Sequence, residues 1–225
     1  MKAYYFPKVT SATLACLTAM LLLGSMTSNA QQFFSYTQYM NNLTPLNHTY
    51  SVVDGNSSVS GLYRKQWTGI DGAPSSFVFS SALQLPAIGS ATGITAMDDK
   101  FGIEHQTEVN AYFAKSVQLA TNNYLALSLN AGFRNYRADY SSLDPADPMF
   151  FSADIRRTDP NIGFGLMYYS NRYYIGLSVP EINLRSVVND AGKNNTRFRS
   201  QYYFSGAYLT GKEEDEIRVK PAILV

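Results

Sequence analysis

The run from Tyr124 to Arg134 alternates without a break. Leu125, Leu127, Leu129, Ala131 and Phe133 fall on one side, and Tyr124, Ala126, Ser128, Asn130, Gly132 and Arg134 on the other. A period of two residues is the geometry of a β-strand, whose successive side chains leave opposite faces. The pattern recurs. Ile162, Phe164, Leu166 and Tyr168 alternate with Asn161, Gly163, Gly165 and Met167, and Tyr173, Ile175, Leu177 and Val179 with Arg172, Tyr174, Gly176 and Ser178. Val109, Ala111, Phe113, Val117 and Leu119 oppose Glu108, Asn110, Tyr112, Ser116 and Gln118; Phe77, Phe79, Leu83 and Leu85 oppose Ser80, Ala82 and Gln84. With a strand entering the Asp71-Gly72 turn and segments near Ala91 to Met97, Gln201 to Leu209 and Ile217 to Val225, the chain reads as about nine strands. No convincing helix follows the amino-terminal segment.

An apolar face opposite one of Gly, Ser, Asn, Gln, Tyr and Arg suits two architectures. A soluble sandwich or lipocalin-like barrel turns the apolar face inward; a transmembrane barrel turns it to lipid and keeps the small polar face in its lumen. Three features favour the membrane. Segments of about 9 to 12 residues match tilted spanning strands. Charged residues make up only 16% of the chain, against about 25% in soluble proteins, and the polar faces lack the Lys/Glu density of a solvated surface. Tyrosines gather near strand ends (Tyr63, Tyr168, Tyr169, Tyr173, Tyr174, Tyr202, Tyr203, Tyr208), where an aromatic girdle would lie.

The amino terminus supports export. Lys2 and Lys8 precede an apolar run from Ala12 to Leu23, and Ser28-Asn29-Ala30 offers small residues at a cleavage site, so residues 1–30 read as a signal peptide. The apolar run is too short to span a bilayer as a helix, which needs about 20 residues. Cys16 is the only cysteine, and cleavage after Ala30 removes it, so neither disulfides nor cysteine-based zinc sites are expected. Without Lys2 and Lys8 the chain keeps 16 basic and 17 acidic residues, a balance that offers no support for nucleic-acid binding. Residues 31–56 are polar and turn-rich without periodicity and read as an extended periplasmic leader. Residues 57–225 carry the strands.

Loop lengths orient the sheet. One end has short connections near Pro86-Ser90, Thr121-Asn123, Ser170-Asn171 and Gly211-Asp215. The other has Asp71-Gly72 and Asp98-Lys100 but also the long stretches Ala138 to Pro160 and Pro180 to Arg197. Outer-membrane barrels keep short turns in the periplasm and long loops outside. A ninth strand would finish outside, whereas bacterial barrels have even strand numbers. A barrel incomplete in this chain, through carboxy-terminal truncation, is the expectation.

Candidate chemistry is thin. His48 and His105 have no neighbours at metal-ligand spacing, and there is no HExxH. Gly163-Phe-Gly165 lacks the third glycine and following helix of a phosphate site and reads as small lumen-facing positions. Asp144-Pro-Ala-Asp147-Pro could gather a cation but lacks the ligand count of a calcium loop, so a plain turn is favoured. Asp98-Asp99-Lys100 also reads as a turn, and Lys212-Glu-Glu-Asp-Glu216 as a solvated charged one. The lack of any Ser/His/Asp grouping speaks against a barrel-embedded hydrolase. Neither a metal nor another cofactor is expected.

One hairpin stands apart. In Gly61-Leu-Tyr-Arg-Lys-Gln-Trp-Thr-Gly-Ile-Asp-Gly-Ala-Pro74 the chain's only tryptophan, Trp67, shares a strand face with Tyr63, while Arg64 and Gln66 share the other. In a membrane barrel Arg64 and Gln66 would face the lumen and Trp67 the lipid boundary. A buried Arg64 would need a carboxylate, for which Glu108 is a candidate.

This hairpin, Tyr63-Arg64-Lys65-Gln66-Trp67-Thr68-Gly69-Ile70-Asp71-Gly72-Ala73-Pro74, closely resembles the hallmark of the PorP/SprF family, outer-membrane proteins of the type IX secretion system of Bacteroidota. Phe34-Ser-Tyr-Thr-Gln-Tyr-Met40 with Asn42 and Pro45, Asp98-Asp99 with Gly102, the Asp144 to Asp147 segment, Asn161-Ile-Gly-Phe-Gly165, Tyr174-Ile-Gly-Leu-Ser178 and Tyr202-Tyr203 also fit. Two features depart from the family pattern: Leu43-Thr44-Pro45-Leu46-Asn47-His48 stands where members have an Asn-Pro-Ala-Tyr-like ending, and the chain stops at Val225, where members continue. The resemblance implies a non-enzymatic barrel in the cell outer membrane that supports secretion and surface attachment of adhesin-type proteins, in some members for gliding. The implied partners are outer-membrane lipid, carboxy-terminal domains of the cargo and other secretion components. It marks Arg64, Gln66, Trp67, Gly69, Gly72, Pro74, Asp99, Asp144 and Asp147 as motif residues of structural rather than mapped contact role. A channel or transporter for solutes or hydrophobic compounds is the alternative.

Overall fold

The computed structural model describes residue 36 and residues 39–142, 154–183, 200–211 and 218–225. Nine strands follow one another: β1 (Ser58–Lys65), β2 (Ser75–Leu85), β3 (Ser90–Phe101), β4 (Glu104–Ala120), β5 (Asn123–Ala138), β6 (Ile155–Ser170), β7 (Tyr173–Asn183), β8 (Tyr203–Tyr208) and β9 (Ala222–Leu224). Each pairs antiparallel with the next, in the order β1 to β9, giving one curled up-and-down sheet. Among the described residues β1 and β9 are not paired with each other, and no helix is long and apolar enough to cross a membrane.

The sheet is inside out relative to a soluble fold. On β5, Leu129 is 70% exposed while its neighbour Asn130 is 5% exposed. Phe113, Val117, Leu127, Phe133, Ile162, Phe164, Ile175 and Leu177 are all exposed, whereas Ser80, Thr95, Glu108, Asn110, Ser128, Asn161 and Ser205 are buried. Water would penalise such an apolar belt by the full transfer cost of its side chains, and monomeric soluble proteins seldom carry patches of that size. Hydrocarbon removes the penalty. The burial pattern is that of a membrane-barrel wall, and the soluble sandwich is set aside.

Several details differ from the sequence expectation. Strands β8 and β9 are shorter than predicted, with 6 and 3 residues, whereas the central strands are longer, with 17 residues in β4 and 16 in β5 and β6. Spanning the hydrocarbon takes about 9–11 residues, so these ladders continue past it as polar hairpins. Asp98, Asp99 and Lys100 lie in β3, and the tight turn follows at Gly102, whose φ of 57° suits glycine. Val179, expected on the apolar face, is buried although it stands opposite the exposed Phe164; the β6–β7 register shifts only beyond that pair, between Phe164 and Ile162. The tyrosines divide. Tyr63, Tyr168, Tyr202 and Tyr208 are exposed, but Tyr169, Tyr174 and Tyr203 turn inward onto Leu43, Leu46 and Met167.

The leader is also not extended throughout. Residues 43–49 turn tightly, with the Asn47 amide N–H donating to Leu43 O at 2.9 Å. The short helix α1 (Tyr50–Asp54) follows, ended by Gly55 at φ 71°. Leu43, Thr44, Leu46, Asn47, His48, Thr49 and Ser51 are all buried against the concave face. The stretch has no periodicity because it is held by tertiary contacts, not by a repeating ladder.

Candidate functional site

Strand register lays lumen-facing residues out in rows across β4, β5 and β6. Glu108 is opposite Arg134, and Arg134 is opposite Asp159. Arg134 is 2% exposed. Its Nη2 lies 3.2 Å from Glu108 Oε2 and also meets the Glu181 carboxylate from β7. Asn110 and Asn161 donate their amides to Glu108 Oε1 at 2.5 and 3.4 Å, and Arg157 pairs with Asp159. A charge with opposite charges and amide donors around it is tolerable where a lone one is not. The expected Arg64–Glu108 partnership does not form: hairpin register puts Arg134 directly across from Glu108.

Nearer the short-turn end the leader fills the concave face. Thr49 Oγ1 lies 2.7 Å from Ser128 Oγ, Ser178 Oγ donates to Leu46 O at 2.7 Å, and Asn47 Nδ2 donates to Leu177 O at 3.4 Å. Gly165 makes the seat. A Cβ there would fall 2.4 Å from Asn47 Oδ1 and 2.5 Å from Thr49 Oγ1, inside van der Waals contact. This is the physical role of a small residue at that lumen position. His48 sits within 3.2 Å of Thr95 Oγ1 and stacks on Tyr112, centroids 4.8 Å apart. Burial pushes its pKa down to about 4, so it is neutral at pH 7. The sequence around His48 gives no sign of this docking, since its partners Thr95 and Tyr112 lie on strands distant in the chain.

The motif residues occupy the opposite end. Arg64 lies in β1, and Gln66 and Trp67 just beyond it. With its amide oxygen turned to the guanidinium, Gln66 accepts from Arg64 Nε at 3.1 Å, and its backbone N–H donates to Pro74 O at 2.9 Å. Trp67 is exposed at φ 48°, and Gly69 and Gly72 take φ 95° and 72°. Gly72 O accepts the Gly102 N–H at 2.9 Å, joining this turn to the β3–β4 turn. Asp99 accepts from Ser76, closing the base of the hairpin. Gln66, Trp67, Gly69, Gly72 and Pro74 thus lie in the turn, with Arg64 and Asp99 on the strands beside it. Arg64, Gln66, Trp67, Gly69, Gly72, Pro74 and Asp99 are not drawn into the lumen cluster around Arg134. Asp144 and Asp147 lie outside the described residues, as do residues 1–35 and 212–217.

His105, on the same side, pairs with Asp98 at 2.6 Å, and Thr107 donates to Asp98 at 2.8 Å. Among the described residues no group of three His, Cys, Asp or Glu side chains is placed to hold a metal ion.

An apolar belt outside, a packed polar lumen and a motif-built turn coincide with a family match. The family model described as type IX secretion system membrane protein PorP/SprF matches residues 28–225. The chain belongs to the PorP/SprF family. No curated protein and no solved structure matches it. As a PorP/SprF member it is a membrane component of type IX secretion and takes part in that system with its other components.

Proposed function

We propose that this PorP/SprF protein is a non-enzymatic element of the outer membrane that supports secretion and surface attachment of adhesin-type proteins, with its short turns in the periplasm. The observation that carries the reading is the filled concave face. Residues 43–54 cover the small-residue floor at Ser128, Gly165 and Ser178, and the ionic row around Arg134 is buried beyond them. A solute channel works through a wet, open lumen; this packed one suits a protein that holds protein partners. Pairing with carboxy-terminal domains of the cargo, and a part in gliding, belong to the same proposal. The test is deletion of the gene followed by surface labelling of secreted adhesins. Loss of display, restored by the full-length gene, supports the reading. Normal display with altered solute uptake points to the channel instead.

A further inference from the structure

The β2–β3 ladder is interrupted in one place. Register runs from Ser80 opposite Thr95 to Leu83 opposite Thr92, but Ser81, Ala82, Gly93 and Ile94 between them are unpaired. Hydroxyls replace the missing bonds. Ser81 Oγ accepts the Ile94 N–H at 3.0 Å and donates to Ile94 O at 3.1 Å. From the concave side Tyr112 donates its hydroxyl to Ser81 O at 2.9 Å. Gly93 permits this approach, since a Cβ there would lie 1.9 Å from Ser81 O and 2.8 Å from the Tyr112 hydroxyl oxygen. Backbone groups facing lipid must be satisfied within the protein, and here side chains do that in place of ladder bonds.

Over the interruption, on the outer face, lies a cleft of about 570 Å³. Its walls are Val59, Leu83 and Ile94, all exposed, and its floor is Ser81, Gly93 and Ala111. Register sets Val59 opposite Ser81, and Ile94 opposite Ala111. The depression therefore crosses strands β1 to β4 within the apolar belt. Small residues in its floor and large ones at its rim give it depth that an ordinary strand face lacks. Its volume is in the range of small-molecule sites, about 300–1,000 Å³.

We propose that this cleft is a binding site for one acyl chain of a membrane lipid, held longer than the chains around the rest of the belt. The occupant follows from position. The cleft opens on the face that meets the bilayer, its rim is hydrocarbon, and an empty groove there would leave its lining without dispersion partners. The inference rests on the reading of this face as lipid-facing.

The test uses the full-length protein in phosphatidylethanolamine vesicles containing a trace of the same lipid with a photoactivatable diazirine in its acyl chain. After irradiation, labelled positions are mapped by mass spectrometry. Label at Leu83 and Ile94 is expected about tenfold above that at Leu127 and Leu129, the ratio of a modest preferential affinity. Ala111→Phe, which fills the floor from an exposed position, should bring Leu83 and Ile94 down to the level of the belt. Val59→Trp, on the edge strand, repeats the test should Ala111→Phe not fold. Even labelling of the wild-type belt overturns the site but leaves the lipid-facing reading in place. Absence of label at Leu127 and Leu129 as well overturns both.

Discussion

The imidazole of His48 lies against the ring of Tyr112, centroids 4.8 Å apart and planes tilted by 35°. Through this contact a leader residue braces the side chain whose hydroxyl donates to Ser81 O across the β2–β3 interruption. Docking of the leader and integrity of the sheet thus share one aromatic pair.

That pair makes docking pH-dependent. The His48 pKa is about 4 when docked and about 6.5 when free. The undocked state therefore binds more protons between these values, so stability falls as pH drops through that window and is constant above it. The full loss is on the order of 3 kcal/mol for a shift of about 2.5 units. Proteolysis of residues 39–54 should accelerate from pH 7 to pH 4.5, and His48→Gln should flatten the profile. An unchanged profile in His48→Gln would assign the dependence to another group.

Arg134 should be the least replaceable lumen residue. Arg134→Met strands the Glu108 and Glu181 carboxylates in a buried site, at a cost of about 3–5 kcal/mol. The triple variant with Glu108→Gln and Glu181→Gln should recover most of that loss. Urea unfolding in detergent, followed by tryptophan fluorescence, measures both.

Gly165→Val separates leader from sheet. Its Cβ would collide with Asn47 and Thr49 and, within the sheet, with only the rotatable Ser128 hydroxyl at 2.7 Å, while valine is well accepted in a strand. The variant should retain its β-sheet circular dichroism but expose residues 39–54 to protease. Loss of sheet signal would show that the leader is needed for the fold itself.

A Thr49→Cys, Ser128→Cys pair should oxidise readily, because the parent hydroxyl oxygens are 2.7 Å apart and a disulfide needs side chains in contact. Non-reducing mobility should shift, and the bond should protect the leader from protease. Failure to oxidise would place the leader elsewhere in solution.

Much of this was legible in the sequence because a spanning strand must alternate. Alternation assigns the two faces of β5 residue by residue from Tyr124 to Arg134, and the expectation of about nine strands matches the nine among the described residues. Strand ends were not legible. Arg156, Arg157, Asp159 and Pro160 look like a loop, yet they open β6, since a ladder leaving the membrane no longer needs apolar residues. The sequence offers Glu108 as a carboxylate for Arg64, but its actual partner follows from hairpin register, which places Arg134 across the strand pair. The leader's docking was hidden altogether. Asn47, His48 and Thr49 act through long-range polar contacts that leave no repeat in the chain.

The central claim is that the odd-numbered residues of β5 from Leu125 to Phe133 meet lipid and the even-numbered ones between them face the packed lumen. Spin labels placed singly at Leu127, Ser128, Leu129 and Asn130, in bilayers, test it through collision with oxygen and with a water-soluble nickel chelate. Labels at Leu127 and Leu129 should be open to oxygen and closed to nickel, with Ser128 and Asn130 shielded from both. Nickel access at Leu127 and Leu129 would contradict the account.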